Sequence, residues 1–316
     1  MSSPSTPKRR PFKFRHTNSL RCASSSSSIS IFDGDELMSK AEIESFKKEP
    51  LKIEVFSKDF QNANFNDYME DIILVNENFN NNPKTHLFGI FDGHGSDKSA
   101  IYCKENFPKH LDKLLSAKHS KFDPNRATIE ENFAKAFKDI DDEIEKLDYT
   151  DFGNTATIVY ISDKTLYCAN VGDSKCILVS KRNFKRLSYE DKCIDENEKN
   201  RIISAGGEVT KKKLNGILSV SRAMGDFFLK DYGLISEPHI TKIEINYDDK
   251  FCIIASDGIW DVITEEMIFN MTKKTDCAED LANKILKLAL SLGSQDNISI
   301  VVIGFNLKNE NVNKDN

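Results

Sequence analysis

Four apolar, strand-like runs in this 316-residue chain each meet a carboxylate beside glycine or asparagine. Residues 87–91 lead into Asp92-Gly93-His94-Gly95, and residues 167–171 into Gly172-Asp173-Ser174. Residues 252–256 lead into Asp257-Gly258-Ile259-Trp260-Asp261, and Gln295-Asp296-Asn297 opens onto residues 298–305. A fifth acidic pair, Glu70-Asp71, precedes the run at 72–75. A buried strand fixes the residue at its end, in place and direction, at the rim of the core. One unpaired carboxylate there is costly to desolvate. Several converging ones repel unless a cation lies among them. Oxygen-only donors suit Mg²⁺ or Mn²⁺ better than zinc. Gly93 and Gly258 remove side chains, so backbone can approach an ion or its waters. Two ions about 4 Å apart would acidify a bridging water and clamp a phosphate.

A single Asp-Gly is an ordinary turn, but turns need not all choose carboxylates beside small residues. His94 alone reads as structural; within its glycine-flanked loop it is a candidate general acid. Phe88, Phe91 and Trp260 read as core, and the lysines at 211–213 as a solvated hairpin face.

The body can fold around these positions. Hydrophobic residues make up 39% of the chain, including 21 Phe, which excludes collagen, coiled coil and a wholly disordered chain. No apolar stretch reaches the roughly 18 residues of a membrane span. The net charge is −6, which argues against nucleic acid as a partner. Residues 1–32 carry six bases (Lys8, Arg9, Arg10, Lys13, Arg15 and Arg21) and no acid, so the remainder stands at −12. Residues 1–45 read as a disordered, basic, Ser-rich arm and 308–316 as a disordered polar tail, leaving one folded domain over 46–307. The arm has no apolar stretch of a secretory signal; cytoplasmic or nuclear residence is expected, and its Arg/Ser composition leaves organelle import open. Seven cysteines without a C-x-x-C pair, several inside apolar runs, suggest a reducing compartment without disulfides or a thiolate zinc site.

Apolar runs predict strands near 72–75, 86–91, 156–161, 165–171, 176–180, 251–255 and 298–305. An apolar stripe predicts a helix over 126–148 and recurring apolar residues another over 278–292; 97–117 reads as helix-like, 196–205 as a helix ended by Gly206-Gly207, and Thr264 as an N-cap. Strands cluster in groups, which favours an α+β arrangement of antiparallel sheets over a doubly wound parallel one.

The order and wording of these segments resemble the metal-dependent Ser/Thr protein phosphatases of the 2C type, the PPM family. The matching stretches are Met69-Glu70-Asp71, residues 91–95, Gly153-Asn154-Thr155-Ala156, residues 169–174, 202–207, 215–226, 255–262 and 295–298, over roughly 52–306. The resemblance implies a central β-sandwich of two antiparallel sheets flanked by α-helices, four layers in all, with two Mg²⁺ or Mn²⁺ ions at one end. Asp92 would bridge the ions. Glu70 and the Gly93 carbonyl would complete one coordination sphere, and Asp257 and Asp296 the other. Asp173 and Asp261 match acids that some members use for a weaker third ion. Asp71 would hold water just outside the ligands. His94 would protonate the leaving Ser or Thr oxygen while a metal-activated water attacks phosphorus directly. Phosphorylated proteins would be the substrates. A monomer without an obligate regulatory subunit is expected.

The chain departs from the family pattern at the phosphate. An arginine usually stands four residues before the metal-binding glutamate; here that position is Asn66, a neutral amide in place of a charged fork. The usual Asp-His after the fifth strand region reads Glu190-Asp191. The segment 227–238 is short, which predicts a small flap beside the site. Arg222, within Ser221–Asp226, is expected to be structural. Beside the active phosphatase stand two alternatives: a pseudophosphatase acting as a binding module, on the evidence of Asn66, and a hydrolase of small phosphoesters.

Overall fold

Ten strands build two five-stranded sheets in which every pairing is antiparallel. They are β1 (Ile53–Phe60), β2 (Ile72–Asn76), β3 (Thr85–Phe91), β4 (Ala156–Ser162), β5 (Thr165–Val171), β6 (Lys175–Ser180), β7 (Phe184–Arg186), β8 (His239–Glu244), β9 (Asp249–Ala255) and β10 (Ile298–Phe305). One sheet runs β1-β10-β9-β6-β7 and the other β8-β5-β4-β3-β2. The computed structural model describes residues 44, 46, 48–116, 127–147 and 152–305, all within one compact unit. Apart from Glu44, the arm at 1–45 lies outside the described residues, as does the tail at 308–316.

The central strands are apolar throughout because both of their faces are covered. Between the sheets, Phe88, Ile90, Val159 and Cys168 meet Cys176, Cys252, Ile254 and Val301. Five principal helices are α1 (Lys98–Leu115), α2 (Ile129–Glu145), α3 (Glu196–Ser204), α4 (Glu265–Thr272) and α5 (Ala278–Ser291). Helices α1 and α2 cover the outer face of one sheet through Phe107, Leu111, Phe133 and Phe137. Helices α4 and α5 cover the other through Ile268, Leu281 and Ile285. The order of layers is helix, sheet, sheet, helix, the α+β sandwich expected from the sequence. Cys103, Cys168, Cys176, Cys193 and Cys252 are buried as small apolar side chains, and Cys277 is exposed.

Helix limits follow from local chemistry. Thr128 and Glu131 form a reciprocal capping box that starts α2. Thr264 caps α4 by accepting from Met267 N. Helix α5 ends before Gly293, which takes a left-handed φ of 86°. The edge strands β1 and β8 were not predicted. Both are half-exposed, and charged residues such as Lys58, Asp59 and Lys242 break their apolar runs.

Outside the four layers, α3 and a short hairpin (Val209–Thr210 paired with Lys213–Leu214) close on a small core. Cys193, Ile202, Leu214, Val220, Ala223, Leu229 and Leu234 form it. The flap predicted over 227–238 is thus only part of a larger lobe that begins near residue 193.

Candidate active site

The carboxylates singled out in the sequence, Asp261 excepted, sit at or beside strand ends, and the alternation of strand directions brings them to one end of the sandwich. Asp92 follows β3, Asp173 follows β5 by one residue, Asp257 follows β9 after Ser256, and Asp296 stands two residues before β10. Glu70 and Asp71 lead into β2. Oxygens of Asp92, Asp173 and Asp257 lie within 4.8 Å of one another. They form the floor of a cleft of about 390 Å³ that Glu70, Gly93, His94, Thr155, Asp226 and Asp296 also line.

Backbone contacts set the floor. Thr155 N donates to Asp92 O at 2.8 Å. Asn297 Oδ1 accepts from Glu70 N at 2.7 Å, while its Nδ2 donates to Gln61 O at 2.8 Å, so one side chain ties the β2 and β10 approaches together. Gly258 is required where it stands: a Cβ there would lie 2.0 Å from Asn297 O. Asp71 is buried behind the floor, accepting from Ser256 Oγ at 2.8 Å.

The electrostatics are those of a crowded, only partly compensated anionic site. Burial first, and then the neighbouring carboxylates Asp71, Asp257 and Asp173, push the Asp92 carboxyl well above the usual range. Burial, then Asp173, Asp296 and Asp261, do the same to Asp257. Burial raises Asp71 to about 6, with Ser256 opposing it, and also raises Glu70 and Asp261. Like charges in a low-dielectric pocket favour either protons or a hard cation. The donor set is all carboxylate, and the cleft floor is narrow enough for one ion to touch several of them. These residues fit Mg²⁺ or Mn²⁺.

Asp261 does not line the cleft; it is exposed at the end of the helical turn Asp257–Trp260. The Lys192 ammonium forms an ion pair with Asp173 and is also felt electrostatically by Asp257 and Asp261. Asn66 does not line the cleft either. Its Nδ2 donates to the carbonyls of Gln295 at 2.9 Å and Gln61 at 3.4 Å, fastening two loops.

A neighbour of His94 was not read from the sequence. Gly93–His94 pairs with Gly153–Asn154, which pairs in turn with Met224–Gly225. This three-stranded strip brings Asp226 Oδ2 to 2.7 Å from His94 Nε2. Asp226 is 2% exposed and has a left-handed φ of 51°, unusual for a non-glycine residue. Gly153 makes the pairing possible, because a Cβ there would lie 2.0 Å from Asp226 Oδ2 and 2.7 Å from His94 Nε2. The segment Ser221–Asp226 therefore does more than shape the lobe.

A second group, Asp191, Glu198 and His239, also converges. It is already compensated by Arg222, with Nη2 2.8 Å from Glu198 and Nε 3.5 Å from Asp191, and by Arg201. Burial opposes ionisation of Glu198, but hydrogen bonds from Arg222, Ser221 and Arg201 hold it at about 2. This group is a structural lock. Asp191 Oδ2 accepts from Gly172 N at 2.8 Å and fixes the turn that carries Asp173.

With this geometry in place, the comparisons with known proteins are direct. A family model described as Protein phosphatase 2C matches residues 57–298. A rice protein named "Probable protein phosphatase 2C member 13, mitochondrial" is 35% identical over 75% of this chain and 64% of its own length. An Arabidopsis thaliana protein named "Probable protein phosphatase 2C 17" is 38% identical over 76% of this chain and 85% of its own. "Protein phosphatase 2C homolog 1" of Saccharomyces cerevisiae is 30% identical over 77% of this chain and 90% of its own. Thus the chain spans under two thirds of that rice relative. Among solved structures, a Caenorhabditis elegans sex determining protein superposes with a TM-score of 0.71 at 24% identity, covering 80% of this chain and 64% of that one. A serine-threonine phosphatase 2C from Toxoplasma gondii gives 0.67 at 20% identity, covering 81% and 95%. These two likenesses concern the fold.

Proposed function

The chain belongs to the protein phosphatase 2C family, and from that premise we propose that it hydrolyses phosphoserine and phosphothreonine in proteins with a pair of Mg²⁺ or Mn²⁺ ions. The observation that carries this reading is the convergence of Asp92, Asp173 and Asp257 on the floor of a cleft that also opens on His94. Asp92 would bridge the ions, with Glu70 and the Gly93 carbonyl on one side and Asp257 and Asp296 on the other. Asp173, with Asp261 nearby, would take a weaker third ion in exchange for its Lys192 partner. When bound, the metal supplies water activation at neutral pH and neutralises phosphate charge.

The chain's own groups do the rest. Asp71, held by Ser256, orients water just outside the ligands. His94 carries the proton that the leaving Ser or Thr oxygen requires. Its Nε2 is engaged by Asp226, which leaves Nδ1 to face the substrate oxygen. Asp226 fixes the ring. Every acid that the family pattern assigns to metal is present, which disfavours the non-catalytic scaffold. A phosphoprotein rather than a nucleic acid suits the acidic body. The absence, among the described residues, of any helix long and apolar enough to cross a membrane removes that form of anchorage from them.

The test is phosphate release from a phosphothreonine peptide by the purified chain with Mn²⁺ or Mg²⁺, and then with EDTA. Turnover that is lost on chelation and restored by metal is expected. Absence of turnover in a protein that binds metal by calorimetry overturns the catalytic reading.

A further inference from the structure

Lys213 belongs to the run of three lysines that reads, in sequence, as a solvated hairpin face. Its neighbours Lys211 and Lys212 form the turn, both with positive φ. Lys213 itself pairs with Thr210 across the hairpin and lines the same cleft as the carboxylates. Leu214, the next residue, is fully buried in the lobe's small core, and Leu214 N donates to Leu218 O at 2.8 Å. The backbone under Lys213 is therefore anchored while its side chain stays exposed. Among the described residues, no carboxylate or carbonyl holds its ammonium. Beside it, Ile217 and Phe228 are 55% and 41% exposed and give the same wall an apolar surface.

A phosphomonoester dianion entering this cleft meets Glu70, Asp92, Asp173, Asp226, Asp257 and Asp296. Of the described side chains lining the cleft, only Lys213 is a lysine or arginine. From the loop side no cation is available, because Asn66 is neutral and its amide is spent on the Gln295 and Gln61 carbonyls. The geometry points to Lys213 as the side chain that grips the substrate phosphate, from the lobe rather than from the loop before Glu70. This assignment rests on the phosphatase reading above and adds the phosphate-binding residue to it. A lysine suits the position. Its flexible stem and compact charge can follow phosphate oxygens without the fixed geometry of a guanidinium.

The experiment compares the full chain with Lys213→Met, Lys213→Arg and, as a control outside the cleft, Lys212→Met. Steady-state rates are taken with p-nitrophenyl phosphate and with a phosphothreonine peptide free of acidic residues. Affinity for inorganic phosphate is measured by calorimetry on the Mn²⁺-loaded protein. Lys213→Met should raise KM for both substrates, and weaken phosphate binding, by about five- to tenfold, as expected for one partly solvated charge-assisted contact. Lys213→Arg should stay close to the unsubstituted chain, and Lys212→Met should match it. Equal phosphate affinity in Lys213→Met overturns the assignment, as does an effect confined to the peptide, which would place the contact beyond the phosphate. Absence of turnover in the unsubstituted chain would instead overturn the phosphatase reading, and the calorimetric comparison decides on Lys213 in either case.

Discussion

Asp92 concentrates the conflict on which the site is built. It is enclosed at the end of a fully buried strand, and its neighbours are acids. Without metal its ionised form is destabilised; with metal the same crowding becomes a ligand set. Asp92→Asn should therefore separate stability from function. In EDTA the variant should melt above the unsubstituted chain, by a margin that corresponds to about 1–2 kcal/mol of relieved repulsion and desolvation. It should also lose the rise in Tm that Mn²⁺ gives. The pH dependence has a definite sign. Folding raises the Asp92 pKa, so the folded chain holds a proton that the unfolded chain releases. The stability linked to that proton is present below the ordinary carboxylate range and is lost as pH rises through the folded value. The Tm advantage of Asp92→Asn in EDTA should accordingly be small at pH 5 and larger at pH 8. A constant advantage would show that Asp92 is not held protonated. The five acidic strand ends were legible in the sequence because a buried strand dictates where its last residue goes. Asp226 and Lys213 were not. Asp226 reaches the site through pairing of segments far apart in the chain, and Lys213 through a lysine-rich hairpin whose docking on the cleft no local spacing encodes.

At the scale of elements, the placement of His94 depends on a narrow strip rather than on the large sheets. Gly93–His94, Gly153–Asn154 and Met224–Gly225 contribute two residues each. Helix α2 secures the far side of this strip: Asp141 Oδ1 accepts from Gly225 N at 2.8 Å, and Oδ2 takes Lys230 Nζ at 2.7 Å. Gly153→Ala should displace either His94 or Asp226, because backbone pairing fixes the new Cβ while both side chains need the space it fills. The expected outcome is a fall of at least tenfold in kcat on the phosphothreonine peptide, with Mn²⁺ affinity by calorimetry close to the unsubstituted value. Equal loss of metal affinity would show that the strip collapsed into the carboxylate floor. Strips of two residues have no periodicity, so neither they nor the pairing of His94 with Asp226 could be read in advance. The long elements could. Helices α1, α2 and α5 appeared within a few residues of their limits because apolar residues recur along one face of each. The edge strands β1 and β8 were missed because charged residues occupy their exposed positions.

At the scale of the whole molecule, the question is where the fold begins. Composition placed the boundary near residue 45, from the change between an acid-free Ser-rich segment and a mixed one. Packing sets a sharper limit. Phe46 and Leu51 lie against the inter-sheet core with Ile53 and Val55, and the Lys164 ammonium sits 4.6 Å from the centre of the Phe46 ring. These contacts cover the ends of both sheets on the side away from the carboxylates. They can contribute stability without touching the chemistry. A chain starting at residue 44 should keep both the Tm and the phosphate release of the full chain. A chain starting at residue 53 should lose about 2 kcal/mol of stability in EDTA, the worth of two half-buried apolar side chains and one cation–π contact. With saturating Mn²⁺ it should still turn over, because metal binding to the folded state adds RT ln(1 + [L]/Kd) and offsets the loss. Melting curves with and without Mn²⁺, set beside peptide dephosphorylation, separate the two effects. Loss of turnover at full metal occupancy in the shorter chain would mean that the residues before β1 reach the site, a coupling that the position of Phe46, remote from the cleft, does not provide for.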